Sequence, residues 1–268
     1  AFACMIYNID LKSPTMYITN EAKLTVAAHE HTKVIDTPAV AATCTKDGCT
    51  EGSHCSECGE VLSKSEVIPA TGHKLVYKVC SVCGYEVPFP FVDVPEDMWC
   101  RSEVDYVWKH GLMQGVTATT FEPNSGMTRA MFVTVLYRMS GSPDVTGLTE
   151  PFTDVDENYW AYNAIVWAYN KGVTKGVTAT TFQPKVDITR AQLVTMLYRN
   201  EGEPDGSAPL NFVDSATIAE PYREAVAWAI KNNIVQGYED GTFRPNKIAT
   251  RAHMAVIIAR FCENYKAL

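Results

Sequence analysis

The sequence predicts a mainly α-helical chain whose last two-thirds is built from three helix–loop–helix units, with a small β/loop, cysteine-rich module ahead of them. Two observations carry this expectation. Met127-Thr128-Arg129-Ala130-Met131, Ile188-Thr189-Arg190-Ala191-Gln192 and Ala249-Thr250-Arg251-Ala252-His253 recur at a constant period, 190 − 129 = 61 and 251 − 190 = 61, and self-similarity at one fixed period reveals a building unit. Six of nine cysteines (Cys44, Cys49, Cys55, Cys58, Cys80 and Cys83) fall within forty residues, the clustering of a local metal or disulfide staple.

At 268 residues the chain can hold several small folded units. Its net charge of −8 argues against a general polyanion binder, whose basic surface would dominate affinity. No nucleic acid is expected as a partner, and any anion must be held in a local pocket. The longest apolar run, Met254 to Ala259, is far below the roughly eighteen residues of a membrane-spanning helix, so membrane insertion is not expected. The chain starts at Ala1 without an initiator Met or a charged and apolar leader, which suggests a processed or truncated product.

Residues 1–28 read as a tail or the end of a β-domain, since Met16-Tyr17-Ile18-Thr19 and Lys23-Leu24-Thr25-Val26 alternate like two short strands around Asn20. Residues 29–87 form the cysteine-histidine module. Cys55-Ser56-Glu57-Cys58-Gly59 and Cys80-Ser81-Val82-Cys83-Gly84 are metal knuckles in form: two thiolates two residues apart reach one tetrahedral ion when the following Gly lets the chain turn. Haem attachment is excluded, because Gly and not His follows each pair. Two donor sets for zinc compete. One is Cys44, Cys55, Cys58 and His73; the other is Cys55, Cys58, Cys80 and Cys83, with 80 − 58 − 1 = 21 residues between knuckles. Disulfides are the alternative if the protein is exported. His29-Glu30-His31 lacks the second His of a His-Glu-x-x-His site and reads as a solvated linker. No Gly-x-Ser-x-Gly elbow, phosphate-cradling loop or dinucleotide fingerprint is present, so no catalytic role is expected.

Pro88-Phe89-Pro90 opens the repeats, expected at 88–146, 147–206 and 207–268. Each begins Phe-x-Asp, at Phe91-Val92-Asp93, Phe152-Thr153-Asp154 and Phe212-Val213-Asp214, with an aromatic slot filled by Trp99, Trp160 and Tyr222. A first helix follows; in the second unit Tyr159 to Asn170 sets Trp160, Ala164, Ile165, Trp167 and Ala168 on an apolar stripe and ends at Gly172. Loops running through Gly115, Gly176 and Gly237 lead to Phe121-Glu122-Pro123, Phe182-Gln183-Pro184 and Phe243-Arg244-Pro245, where the Phe plugs the core and the Pro fixes the loop. Thr-Arg-Ala then starts a second helix, with Leu193, Val194, Met196 and Leu197 on its buried face in the second unit.

Thr128, Thr189 and Thr250 are expected as N-caps, which leaves Arg129, Arg190 and Arg251 in the first turn. A cation there opposes the helix dipole. An anion shared by helix-terminal amides and the guanidinium would explain three recurrences; pairing with Asp93, Asp154 or Asp214 is the structural alternative.

Taken together, the three Phe-x-Asp, Gly-x-x-x-Gly, Phe-x-Pro and Thr-Arg-Ala sets resemble the S-layer homology domain family over about residues 91–261. The segment from Thr43-Cys44-Thr45 through Pro69-Ala70-Thr71-Gly72-His73 resembles a short repeat of Firmicutes surface proteins, and its second copy, His73 to Val87, is truncated. The first resemblance implies a pseudo-threefold arrangement with one helix of each unit in a central bundle. It also implies non-covalent anchoring to the cell-wall polysaccharide of a Gram-positive cell, often one carrying pyruvylated sugars, and an extracellular location. Carried onto this chain, the polysaccharide site comprises Arg129, Arg190 and Arg251, Asp93, Asp154 and Asp214, Trp99 and Trp160, and Gly115, Gly176 and Gly237.

This chain departs from the family where an acidic residue usually follows Thr-Arg-Ala. Met131, Gln192 and His253 stand there, so a capping box is expected in the second unit alone. Unit two, with Thr189, Arg190, Gln192 and Trp160 all in place, is the groove to test first. Self-assembly into a surface lattice, or service as the targeting end of a larger surface enzyme, are the competing roles.

Overall fold

The computed structural model describes residues 30–266; the two strands expected before Val26, and His29, lie outside them. The chain divides into two compact units, 1–74 and 75–268.

In the first unit, β1 (Lys33–Thr37), β3 (Gly52–Cys55) and β4 (Val61–Ser63) form an antiparallel sheet in the order β1-β3-β4. Strands β2 (Gly48–Cys49) and β5 (Val67–Ile68) pair separately. Register sets Lys33 opposite Cys55 and Val34 opposite His54. Gly48 is obligatory, since a Cβ there would sit 2.3 Å from the Val40 carbonyl oxygen.

The second unit opens with the hairpin β6 (Leu75–Val76) and β7 (Val79–Cys80). This places the boundary before the Pro88 break, because the hairpin region packs on the first helix, α1 (Arg101–Lys109). The rings of Tyr77 and His110 are 4.2 Å apart, Lys78 lies over Trp108, and Glu86 pairs with Lys109. The remaining helices are α2 (Arg129–Met139), α3 (Tyr162–Asn170), α4 (Arg190–Asn200), α5 (Glu220–Lys231) and α6 (Arg251–Asn264).

Each repeat is helix, loop, helix, as the sequence predicts, but the helices pack between repeats. The first helix of one repeat lies on the second helix of the preceding one: α3 on α2, α5 on α4, and α1 on α6, which closes the circle. Helix α3 starts at Tyr162, three residues later than expected, and Trp160 stands ahead of it, 60 % exposed. Its ring therefore leaves the apolar stripe and is open to a partner.

Phe121, Phe182 and Phe243 are fully buried, the plugs the sequence predicts. What holds them is the aspartate of Phe-x-Asp. Asp93 accepts the amides of Phe121 and Glu122 at 2.8 and 2.7 Å, Asp154 those of Phe182 and Gln183 at 2.8 and 2.7 Å, and Asp214 those of Phe243 and Arg244, both at 2.7 Å. The middle residue of each Phe-x-Pro is thereby held in the left-handed region, at φ 55, 58 and 56° for Glu122, Gln183 and Arg244. Such a conformation persists only where its surroundings over-determine it, and two charge-assisted bonds per loop do so.

The two glycines of each Gly-x-x-x-Gly serve different ends. Gly111, Gly172 and, in the third repeat, Asn233 terminate the first helix with positive φ, which Asn tolerates nearly as well as Gly. Gly115, Gly176 and Gly237 instead leave room for the opening Phe, whose ring carbon would lie 2.5, 2.5 and 2.7 Å from an added Cβ. Gly172→Ala, with open space around it, should therefore cost only the left-handed backbone, about 1–2 kcal/mol. Gly176→Ala must also displace Phe152 and should cost about 2–4 kcal/mol. Chemical denaturation of the two variants checks the difference.

Candidate functional site

The Thr-Arg-Ala segments meet around the pseudo-threefold axis. Met127 N–H donates to the Ala249 carbonyl at 2.9 Å, Ala249 N–H to Ile188 at 2.9 Å, and Ile188 N–H to Met127 at 2.7 Å, closing a ring of backbone bonds. The first amides of α2 then donate outward to the next repeat, Arg129 N–H to Val186 O at 2.9 Å and Ala130 N–H to Pro184 O at 3.1 Å. Arg190 and Ala191 donate likewise to Lys247 and Pro245, and Arg251 and Ala252 to Ser125 and Pro123. Thr128, Thr189 and Thr250 accept the third amide at 3.3 Å. The threonines are N-caps as expected. The expectation that these helix ends offer amides to an anion is corrected: neighbouring repeats and the caps have already taken them.

The three arginines are 4, 5 and 7 % exposed. Each Nε donates to the carbonyl of a plug phenylalanine in the next repeat: Arg129 to Phe182 at 2.8 Å, Arg190 to Phe243 at 3.0 Å, Arg251 to Phe121 at 2.6 Å. Arg190 Nη2 reaches Gln236 O at 3.2 Å and Arg251 Nη2 reaches Gln114 O at 2.6 Å, whereas Arg129 Nη2 is buried without a partner. Burial pulls all three guanidinium pKa values down from their ordinary range, opposed only in part by Tyr222, Tyr238 and Glu122 and then by the aspartates. None of the three forms a salt bridge with Asp93, Asp154 or Asp214 among the described residues. The pairing alternative thus gives way to a division of labour in which aspartates clamp loops and arginines latch repeats.

Each arginine faces a groove assembled from all three repeats. The largest, about 800 Å³, runs beside Gly237 and is lined by Arg190, Tyr238, Arg244, Lys247, His253 and Trp99, among others. A second of about 280 Å³ has Gly176, Arg129, Gln192 and Tyr222, and a third of about 190 Å³ has Gly115, Arg251, Met131 and Trp160. The rule is cyclic: the loop glycine and second helix of one repeat, the arginine of the preceding one, and the aromatic slot of the following one. Arg190, Gln192 and Trp160 therefore belong to three different grooves, and the expected unit-two groove does not exist as a single place. The aspartates line none of the three.

The Gly237 groove is cationic around one ring. Arg190, Arg244 and Lys247 lie 4.9, 4.1 and 4.9 Å from the Tyr238 ring centre. Arg244 is shared with Asp240 at 2.6 Å, whose pKa falls to about 2 through Thr242 and then Arg244; Arg190 has carbonyl partners only. Trp99 stands 61 % exposed at the rim, 5.8 Å from the His253 ring.

The family described as S-layer homology domain matches residues 90–131, 151–194 and 211–255. The chain carries three S-layer homology (SLH) domains. It is 31 % identical over 176 residues to an endoglucanase of a Bacillus species, covering 64 % of this chain and 18 % of that protein. It is 30 % identical over 178 residues to the surface-layer 125 kDa protein of Lysinibacillus sphaericus, 63 % of this chain and 14 % of that one. To a cellulosome-anchoring protein of Acetivibrio thermocellus it is 34 % identical over 138 residues, 49 % and 30 % respectively. The chain thus spans less than a third of the length of each of these relatives.

Ahead of the SLH domains, the structure sorts the cysteine-histidine donors differently from either expected zinc set. In the first unit Cys55 and Cys58 gather with His31, their donor atoms all within 4.8 Å of one another, and Cys44 and His73 lie within the same distance of each other. Cys80 and Cys83 form a close pair in the second unit. His31 is brought in because β1 pairs with β3, a contact that the spacing of cysteines does not encode.

One residue of the SLH core was misjudged from sequence. His253 does complete a capping box: its Nδ1 accepts the Thr250 amide at 3.3 Å, a lone pair placed much as the Gln192 oxygen is in α4. Burial first, then Arg190 and Lys247, pull its pKa to about 4 from the ordinary 6.5. The unfolded chain therefore binds more protons in that window, and the stability from neutral His253 is complete above about pH 6.5 and lost as pH falls towards 4. The thermal midpoint should drop across this window, and His253→Gln, which keeps a cap acceptor, should flatten the drop.

Proposed function

We propose that this chain anchors a surface protein non-covalently to an anionic cell-wall polysaccharide, and that the groove at Gly237 is its principal subsite. The observation that carries this reading is the set of three cations within 5 Å of the Tyr238 ring, one of them the buried Arg190, whose hydrogen bonds go to carbonyls. A guanidinium in that state gains from a carboxylate that completes its hydrogen bonding. The exposed Trp99 offers a flat apolar face to a sugar ring. A carboxylate-bearing sugar, such as a pyruvylated one, matches both halves of the groove. Weaker subsites at Gly176 and Gly115 would add avidity along a repeating polymer.

The protein works extracellularly, at the cell surface, and its export by a Gram-positive cell is part of this proposal. What the anchor displays differs among the relatives, one named an endoglucanase and another a surface-layer protein. The similarity to a surface-layer protein supports a second reading, in which wall-bound copies also tile into a lattice.

Because each Thr-Arg-Ala arginine is an inter-repeat latch, replacing all three would test folding rather than binding. Trp99→Ala combined with Lys247→Ala removes only groove-facing side chains. The parent chain should co-sediment with wall sacculi that retain their secondary polymer and not with stripped ones. The double variant should bind at least about tenfold more weakly, roughly 1.4 kcal/mol, with its unfolding midpoint unchanged. Full binding by that variant would sink the Gly237 assignment, and ordered sheets formed by purified chain without polymer would favour the lattice.

A further inference from the structure

The described part of the first compact unit, residues 30–74, has almost no apolar core. Among its described residues the only buried hydrophobic side chains are Cys44 and Cys55, 6 and 0 % exposed, while Val34, Ile35, Val61 and Val67 lie at the surface. A unit this small cannot recover its chain entropy by burial and needs a cross-link.

Its topology supplies three soft donors for one. Pairing of β1 with β3 sets Lys33 opposite Cys55, and Ser56 N–H donates to Thr32 O at 3.0 Å, which carries His31 alongside the knuckle. Gly59, at φ 74°, closes the turn with its amide on Cys55 O at 2.9 Å. The sulfurs of Cys55 and Cys58 and a ring nitrogen of His31 then lie within 4.8 Å of one another.

The imidazole is already oriented for ligation. Its Nε2 is 3.4 Å from Glu60 Oε2, which favours the proton on that nitrogen and turns the Nδ1 lone pair to the sulfurs. Nδ1 is 3.5 Å from Cys58 Sγ. Tetrahedral bonds of about 2.3 Å to sulfur and 2.0 Å to nitrogen put those two atoms about 3.5 Å apart, so the observed separation is that of two ligands on one ion.

We propose that Cys55, Cys58 and His31, through Nδ1, hold one divalent ion of the zinc class, with Glu60 fixing the imidazole from behind and water completing the tetrahedron. Thiolate donors select such an ion over magnesium or calcium. Loading releases the two thiol protons, and the two thiolates neutralise the ion. The ion replaces the missing core of this unit, and the proposal is independent of the wall-binding reading.

The test uses the full chain, reduced, loaded with Zn²⁺ and desalted. Elemental analysis should find one zinc fewer per chain in His31→Ala and in Cys58→Ser than in the parent. Glu60→Gln, an exposed change, should keep its zinc but bind it about 10–100-fold more weakly against a chromophoric chelator. Co²⁺ in place of zinc should give thiolate charge-transfer absorption that Cys58→Ser diminishes. Equal zinc in parent and variants overturns the proposal, as does a Cys55–Cys58 disulfide in peptide maps of freshly exported protein. Should His31→Ala not fold, unchanged affinity in Glu60→Gln is enough to reject it.

Discussion

Three buried guanidiniums, each latched to the carbonyl of another repeat's phenylalanine, form the constraint on which the SLH body depends. A buried charge costs several kcal/mol unless its donors are used, and here the acceptors belong to the next repeat: Arg129 needs Phe182 O, Arg190 needs Phe243 O and Arg251 needs Phe121 O. The carbonyls are in position because an aspartate clamps each Phe-x-Pro loop, and the loop can close because a glycine leaves room for the opening phenylalanine. Taking out one repeat would orphan an arginine in a second and helix-end amides as well. The three repeats are therefore one cooperative body, unlike a linear solenoid in which each unit touches only its neighbours.

That closure explains which features were legible in the sequence. Period, helix starts at Thr128, Thr189 and Thr250, and buried plugs at Phe121, Phe182 and Phe243 are local signals repeated three times, so chance cannot produce them all; the helix end at Gly172 is local as well. Partners across repeats are another matter. Nothing in a 61-residue period says that Trp99, Arg190 and His253 share a groove, because their proximity arises only when α1 returns to α6. The aspartates of Phe-x-Asp clamp the plug loops, and the sequence signal for that is their fixed offset of 28 or 29 residues from the plug amide they accept. In the first unit His31 was read as linker because a strand pairing, not a motif, brings it to Cys58.

The unequal grooves follow from substitutions at two equivalent positions. Val116, Val177 and Tyr238 occupy one, and Met131, Gln192 and His253 the other. In the third repeat Tyr238 and His253 face each other, with the hydroxyl 3.4 Å from Nε2, and give the widest cavity an aromatic wall. In the first two, the hydroxyls of Thr117 with Thr120 and of Thr178 with Thr181 pair at 2.7 and 2.6 Å instead, and the cavities at Gly115 and Gly176 are smaller. Tyr in place of Trp in the third repeat does not affect that repeat's own groove: Tyr222 serves the groove at Gly176, and the groove at Gly237 receives Trp99 from the first repeat.

Charge at the Gly237 groove is set at a third position, the strained residue between Phe and Pro. Its left-handed backbone is imposed three times by the aspartate clamp, so the direction of the side chain is fixed before its identity matters. With Glu122 that chain turns to the Ser125 hydroxyl at 2.9 Å; with Arg244 it lies 4.1 Å over Tyr238 and joins Arg190 and Lys247. The same backbone thus presents an acid in the first repeat and a base in the third. A clamp that exists to seat a core phenylalanine consequently makes the charge of that groove adjustable by one residue, without any change to the latches that hold the body together.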